Sequence, residues 1–250
     1  MIYVSINQMN NIIKKNLNKI PNDIDLIVAN PRSGLLPATI ISLNKNLPIC
    51  DIDSLEQNRI YSSGSTKKND FVNNINDARK ILIVEDSSYS GNSINLIKNK
   101  IPKEIKNKCL LLVLFTNEKT KNMCDIYFEN INESRIFEWN LFHHRYLNYA
   151  GIDLNVLYEN DFFKIKPTQK IEAVIIDDNL NKEKIEQKLI NHNISFNRVI
   201  YPIEIDEKVQ FIISNRLNKF ENFNVGIIDY DNGLYYSKKS RNNIIKEKKV

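Results

Sequence analysis

The chain predicts an α/β protein in which helices flank largely parallel sheets, and three observations lead there. Apolar runs of strand length alternate with segments of helical period, a pattern of strand–helix–strand units rather than of hairpins. Two of these runs, IDLIVA at 24–29 and KILIVED at 80–86, pass at once into a short polar turn and then a helix. No internal repeat or low-complexity linker interrupts the alternation, and 250 residues suffice for two domains of ordinary size.

The elements follow in order. Ser5 with Gln8 three residues later has the form of a capping box, and Ile6, Met9, Ile13, Leu17 and Ile20 then recur near helical spacing. A first helix therefore stops before Pro21. IDLIVA reads as a buried strand, NPRSG at 30–34 as a turn, and LLPATIISLN at 35–44 as a helix leaving that turn. LPICDID at 47–53 is the next strand. Residues 55–74 are then polar, rich in Ser, Lys and Asn, and without steady period; a loop of this length inside a compact domain points to function. KILIVED, the turn SSYSGNS at 87–93 and INLIKNKI at 94–101 make a second strand–turn–helix unit, followed by strands CLLLVLF at 109–115 and CDIYFE at 124–129. In such sheets ligands bind at the carboxyl ends of the strands.

Composition narrows the function classes. With 42% hydrophobic and 26% charged residues a packed core is expected and wholesale disorder is not. The longest apolar run, CLLLVLF, is far short of the roughly 20 residues that a membrane span needs. The opening residues MIYVSINQMNNIIKK lack the basic and apolar regions of a secretory signal, so a cytoplasmic location and no membrane partner are expected. Cys50, Cys109 and Cys124 are odd in number, lie in or beside strand-like segments and lack metal-ligand spacing, and read as reduced core residues. Much of the net charge of +5 sits in KKSRNNIIKEKKV from Lys238, a solvated end rather than a nucleic-acid contact.

The strongest local signal is ILIVEDSSYSGNSI at 81–94. Two adjacent carboxylates, Glu85 and Asp86, end an apolar strand, and a small hydroxyl-rich loop opens a helix. A helix N-terminus offers unpaired N–H groups and a positive dipole; Ser87, Ser88, Ser90, Asn92 and Ser93 add polar groups and Gly91 allows close backbone approach, all suiting a phosphate. Glu85 and Asp86 beside that nest can accept hydrogen bonds from sugar hydroxyls or contact hydrated magnesium.

This segment is similar to the phosphoribosyl pyrophosphate signature of type I phosphoribosyltransferases. The resemblance implies a type I phosphoribosyltransferase-like parallel sheet flanked by helices over residues 1–147, with Mg2+ as cofactor. It carries the ribose-binding and catalytic roles onto Glu85 and Asp86, and the 5-phosphate onto the loop from Ser87 through Tyr89 to Ser93. Ser90 and Ser93 stand where the family usually has Thr. NPRSGLLPA resembles the family's pyrophosphate loop, with Asn30, Arg32, Ser33 and Gly34 at the matching positions. Residues 55–74 correspond in order to the mobile loop that closes over the reaction centre, with Arg59, Lys67 and Lys68 as pyrophosphate contacts. Tyr89 replaces the Asp that handles the base proton in the 6-oxopurine enzymes, which argues for an orotate-like acceptor. RIFEWN at 135–140 instead resembles the hood of purine-type members, making Trp139 a stacking candidate. The two clues disagree and leave the acceptor open.

From about Tyr149 a second, smaller Rossmann-like α/β domain is expected, over 148–250. GIDLNVLY at 151–158 reads as a strand and resembles the opening motif of haloacid dehalogenase-like phosphohydrolases, in a degenerate form. Asp153 stands at the nucleophile position, but Asn155 replaces the acid/base Asp and the motif's Gly is missing. Asp177 stands where a phosphate-binding Ser or Thr is expected, and Asp229 and Asp231 where metal-binding acids follow a late strand. That implies a module kept for packing or partner binding. His143 and His144 on the connector read as structural or capping residues. The resemblances together imply a phosphoribosyltransferase acting on phosphoribosyl pyrophosphate and a small-molecule nitrogen acceptor, and a homodimer. The rival is a non-catalytic sensor using the same pocket and signalling through the C-terminal domain.

Overall fold

The structure, a computed structural model, describes residues 2–61, 72, 74–160, 162–223, 225–230 and 235–237. It forms two compact units, one of residues 7–134 and one of residues 1–6 with 135–250. The compact units thus divide between Ser134 and Arg135 rather than between residues 147 and 148, and the first six residues pack with the C-terminal segment.

In chain order the strands and helices begin with β1 (Ile2–Val4), α1 (Ile6–Asn16), β2 (Leu26–Ala29), α2 (Leu35–Lys45) and β3 (Ile49–Asp51). They continue with β4 (Ile81–Ser87), α3 (Asn92–Lys100), β5 (Cys109–Thr116), β6 (Ile126–Asn130) and β7 (Arg135–Phe137). The C-terminal segment holds β8 (Ala150–Asp153), α4 (Leu154–Leu157), β9 (Tyr158–Glu159), β10 (Phe162–Phe163), β11 (Ile171–Ile175) and α5 (Lys182–Asn191). β12 (Phe196–Ile200), β13 (Phe211–Ser214), α6 (Leu217–Phe220), β14 (Gly226–Asp229) and β15 (Tyr235–Ser237) complete it.

The 7–134 unit is a five-stranded sheet in the order β3-β2-β4-β5-β6 with every pair parallel. Its central strands are apolar until their carboxyl ends because both faces are covered, as parallel sheets require. On one face Leu26, Val28, Ile81, Ile83, Leu111 and Val113 pack with Ile94 and Ile97 of α3. The intervening residues Ile27, Leu82, Val84 and Leu112 are equally buried, and α2, with Ala38 and Ile41 inward, packs on β2 and β4. Each such Leu or Ile contributes about 1.5–3 kcal/mol relative to exposure. α1 buries Met9, Ile12 and Ile13, and a 3-10 turn, Leu17–Lys19, continues it toward Pro21. Cys50 lies in this core, and all three cysteines are free.

The other unit carries a six-stranded sheet ordered β12-β11-β8-β13-β14-β15, parallel except for its antiparallel edge strand β15. Its parallel α/β character agrees with the expected class. GIDLNVLY is not one strand: β8 ends at Asp153, and the one-turn helix α4 leads to the β9–β10 hairpin. α5 buries Ile185 and Leu189 against this sheet's core. β1 pairs in parallel with β7, and Tyr3 joins the same core as Ile136, Ile152 and Ile213. No helix among the described residues is long and apolar enough to cross a membrane.

Deleting residues 1–5 should therefore weaken the second unit. Loss of the buried Val4 and Tyr3 side chains, about 1.5–3 kcal/mol each, should accelerate amide exchange in β7 and β8 while β4 and β5 amides keep their protection. Equal acceleration in both units would contradict this assignment of β1.

Candidate functional site

In the 7–134 unit the chain leaves β2 outward to β3, then returns to β4 on the other side and continues to β5 and β6. The connection reverses between β2 and β4, so a crevice opens at their carboxyl ends, where open parallel sheets bind ligands. Both turns singled out in the sequence stand at this place. The first follows β2 and includes Asn30, Arg32, Ser33 and Gly34; the second starts from Ser87, the last residue of β4, and runs to Gly91 before α3.

One side chain ties them together. Asn30 N–H donates to the Val84 carbonyl at 3.0 Å, and its Nδ2 donates to Glu85 Oε2 at 2.6 Å. Gly34 is required by this contact: a Cβ there would lie 2.5 Å from the Asn30 carbonyl oxygen and 2.8 Å from that of Val84. The Pro31–Arg32 peptide is cis, and Arg32 is exposed.

Glu85 and Asp86 end β4 with 6% and 4% of their surface exposed. Burial, and then the neighbouring Asp86 carboxylate, push the Glu85 carboxyl up to about 8, against hydrogen bonds from Asn30 and Ser93. At neutral pH Glu85 thus holds a proton and can donate as well as accept a hydrogen bond.

The second turn is braced from beneath. Ser88 N–H donates to the Phe115 carbonyl at 3.0 Å, Thr120 Oγ1 to the Ser88 carbonyl at 3.0 Å, and Asn117 Nδ2 to the Tyr89 carbonyl at 2.8 Å. Gly91 enters α3 at φ 89°, and a Cβ there would meet Met123 Sδ at 2.7 Å. Asn92 N–H donates to Ser90 Oγ at 3.4 Å, and Ser93 Oγ lies 3.5 Å from Ser88 Oγ. The amides of the first turn of α3 have no partner within the helix, so the loop is shaped to hold an anion. The Tyr89 side chain is exposed.

Trp139 belongs to the second unit, where it stacks on Phe137 at 4.7 Å between ring centroids. Lys67, Lys68 and Asp231 lie outside the described residues. Arg59 is exposed, in a segment anchored by Leu55 in the core and by Asn58 Oδ1, which accepts from Ile75 N–H at 2.8 Å. His144 caps the turn that follows it, its ring accepting from Tyr146 N–H at 3.3 Å, while His143 Nδ1 lies 3.1 Å from Thr168 Oγ1. Sequence reasoning missed Asn117 and Thr120. The signal available was their position, just past the carboxyl end of the long apolar strand β5.

No protein-family model and no curated protein matches the chain. Among solved structures it is similar to a purine phosphoribosyltransferase from Pyrococcus horikoshii, with 20% identity, TM-score 0.41, and 55% of this chain and 92% of that one covered. A xanthine-guanine-hypoxanthine phosphoribosyltransferase from Helicobacter pylori pairs at 18% identity, TM-score 0.42 and the same coverages. A hypoxanthine phosphoribosyltransferase from Trypanosoma cruzi pairs at 13% identity and TM-score 0.32, over 64% of this chain and 84% of that one.

The site generates two predictions. The folded-state pKa of Glu85 lies above its ordinary value, so its contribution to stability is lost as pH rises from about 4.5 to about 8. Glu85→Gln should gain stability over wild type across that window, most at pH 8 and not at all below pH 4.5, read from urea midpoints. A pH-independent difference would show that Glu85 is not the titrating group. Gly34→Ala should cost about 1–3 kcal/mol, because both close atoms are backbone and neither can swing away; an unchanged urea midpoint would contradict that packing.

Proposed function

We propose that the 7–134 unit binds 5-phosphoribosyl 1-pyrophosphate with magnesium and transfers the phosphoribosyl group to a nitrogen acceptor, a nucleobase, releasing pyrophosphate. One observation carries this reading. The Asn30–Glu85 hydrogen bond joins an Arg-bearing turn, two buried carboxylates and a helix-opening small-residue loop in one crevice. Those are the parts that a ligand with two separated phosphate groups and a diol between them calls for.

The helix-opening loop, Ser88 to Ser93, takes the 5-phosphate on backbone amides and hydroxyls. Glu85 and Asp86 take the ribose hydroxyls. Asn30 positions Glu85, and the turn at Arg32, Ser33 and Gly34 receives the pyrophosphate. Catalysis on this reading is positioning and electrostatics, with Asp86 steadying positive charge that develops on the sugar. The donor set suits magnesium, which takes one or two carboxylates and completes its shell with water and substrate oxygens. Glu85 and Asp86 would hold it, binding of the ion releasing the proton that Glu85 otherwise keeps; among the described residues no three acidic, His or Cys side chains form a site alone. When bound, the ion neutralises the leaving pyrophosphate. The proposal extends to Lys67 and Lys68 on the leaving group, to cytoplasmic residence and to a homodimer.

Isothermal titration with phosphoribosyl pyrophosphate and magnesium, followed by assay of pyrophosphate release against purine and pyrimidine bases, tests the reading. Binding with base-dependent release is expected, and Asp86→Asn should lower release about 100-fold or more with unchanged circular dichroism. Binding without release would establish a sensor in place of the transferase. Absence of binding would refute the assignment of the crevice.

A further inference from the structure

The second unit has its own switch point. From β8 the chain passes to β11 and β12 on one side, then crosses to β13 and β14 on the other, so the reversal lies between β8 and β13. At the carboxyl ends of these two strands a ligand crevice is expected. A side chain of the protein fills it.

Asp153, the last residue of β8, has no exposed surface. Arg216, two residues beyond β13, grips it bidentately, Nε to Oδ2 at 2.8 Å and Nη2 to Oδ1 at 2.5 Å. Arg216 Nη1 reaches Asp177, just beyond β11, at 2.9 Å. Ser214 Oγ donates to Asp153 Oδ2 at 2.9 Å and accepts from Arg216 N–H at 2.9 Å. With the Asn155 amide assigned so that its oxygen faces the guanidinium, as the donors around it require, that oxygen accepts from Nη2 at 2.6 Å. Lys219 Nζ contacts Asp177 at 2.6 Å. Two carboxylates thus meet two monovalent cations, the charge that one divalent ion would supply.

The groups facing the guanidinium are all oxygens: two carboxylates just at or past the ends of β8 and β11, and one amide carbonyl from α4. Hard divalent cations take this set. A guanidinium is permanently charged and planar, and its fork matches a carboxylate edge, so it occupies such a place without exchange. Among the described residues no three acidic, His or Cys side chains group for a metal, so the third oxygen of this set is the Asn155 amide.

We propose that this crevice is a divalent-cation site of Asp153, Asp177 and Asn155, occupied by the guanidinium of Arg216 as its resident cation. The unit takes up no metal there while Arg216 is in place, and removing that side chain uncovers the site. The inference is independent of the proposed transferase, whose crevice lies in the other unit.

The test is Mn2+ binding to the full chain, counted by electron paramagnetic resonance, in wild type, Arg216→Met and Asp153→Asn/Arg216→Met. Counting differences between the variants separates this site from any Mn2+ held at Glu85 and Asp86. Arg216→Met should bind one more equivalent than wild type, and at tenfold excess over its Kd Mn2+ should raise its melting midpoint by about 5 °C. The double variant should lose both effects while staying folded, because the buried charge left behind has gone with its partner. No added equivalent in Arg216→Met would overturn the proposal. So would an equivalent already present in wild type and lost in Asp153→Asn. Should Arg216→Met unfold, refolding by millimolar Mn2+ supports the proposal, and failure to refold while the double variant is folded sinks it.

Discussion

Parallel strands buried on both faces leave the chain one place to put polar groups, the strand ends. In β4 the residues from Ile81 to Val84 have no exposed surface, and polarity begins only at Glu85 and Asp86. In the second sheet β8 is buried throughout, and its one charged residue, Asp153, stands at its carboxyl end. The carboxylates are therefore brought to the carboxyl ends, beside the turns, by the same burial that stabilises the sheets. What each crevice can do depends on how those carboxylates are compensated.

The two crevices resolve that problem in opposite ways. Glu85 is answered by a neutral amide, Asn30 Nδ2 at 2.6 Å, and burial beside Asp86 leaves it holding a proton near neutrality. Asp153 is answered by a full guanidinium, with Asp177 held below the usual carboxylate range: burial raises it, but hydrogen bonds from Arg216 and Lys219 outweigh that. A carboxyl compensated by a neutral donor stays responsive to an incoming sugar or cation. A carboxylate fixed by a guanidinium is electrostatically satisfied, and breaking that pair leaves a buried charge. The contrast supports a division of labour, with chemistry proposed for the 7–134 unit and a closed crevice for the other.

Much of the first crevice was legible in the sequence because its determinants are local. The turns after β2 and β4 are contiguous motifs, Gly34 and Gly91 mark backbone that a side chain would obstruct, and α1 follows from its spacing. The supports of that crevice were not legible. Asn117 and Thr120 reach Tyr89 and Ser88 across 28 and 32 residues. The short strands β1, β9, β10 and β13 carry no periodic signal long enough to stand out, and β1 finds its partner only at β7. Trp139, assigned to the base by likeness, belongs to the second unit and stacks on Phe137, a contact that no local pattern announces.

By itself the sequence determined the α/β class, the two polar turns and the acids at strand ends, since burial period and turn chemistry act over a few residues. Only the tertiary structure decided that Asn30 grips Glu85, that the first residues serve the second unit, and that Arg216 lies 63 residues from Asp153 in sequence yet in its grasp. Those choices depend on which strands become neighbours. Neighbours in a parallel sheet are joined by crossovers, so their carboxyl ends meet across stretches of chain that no local pattern spans.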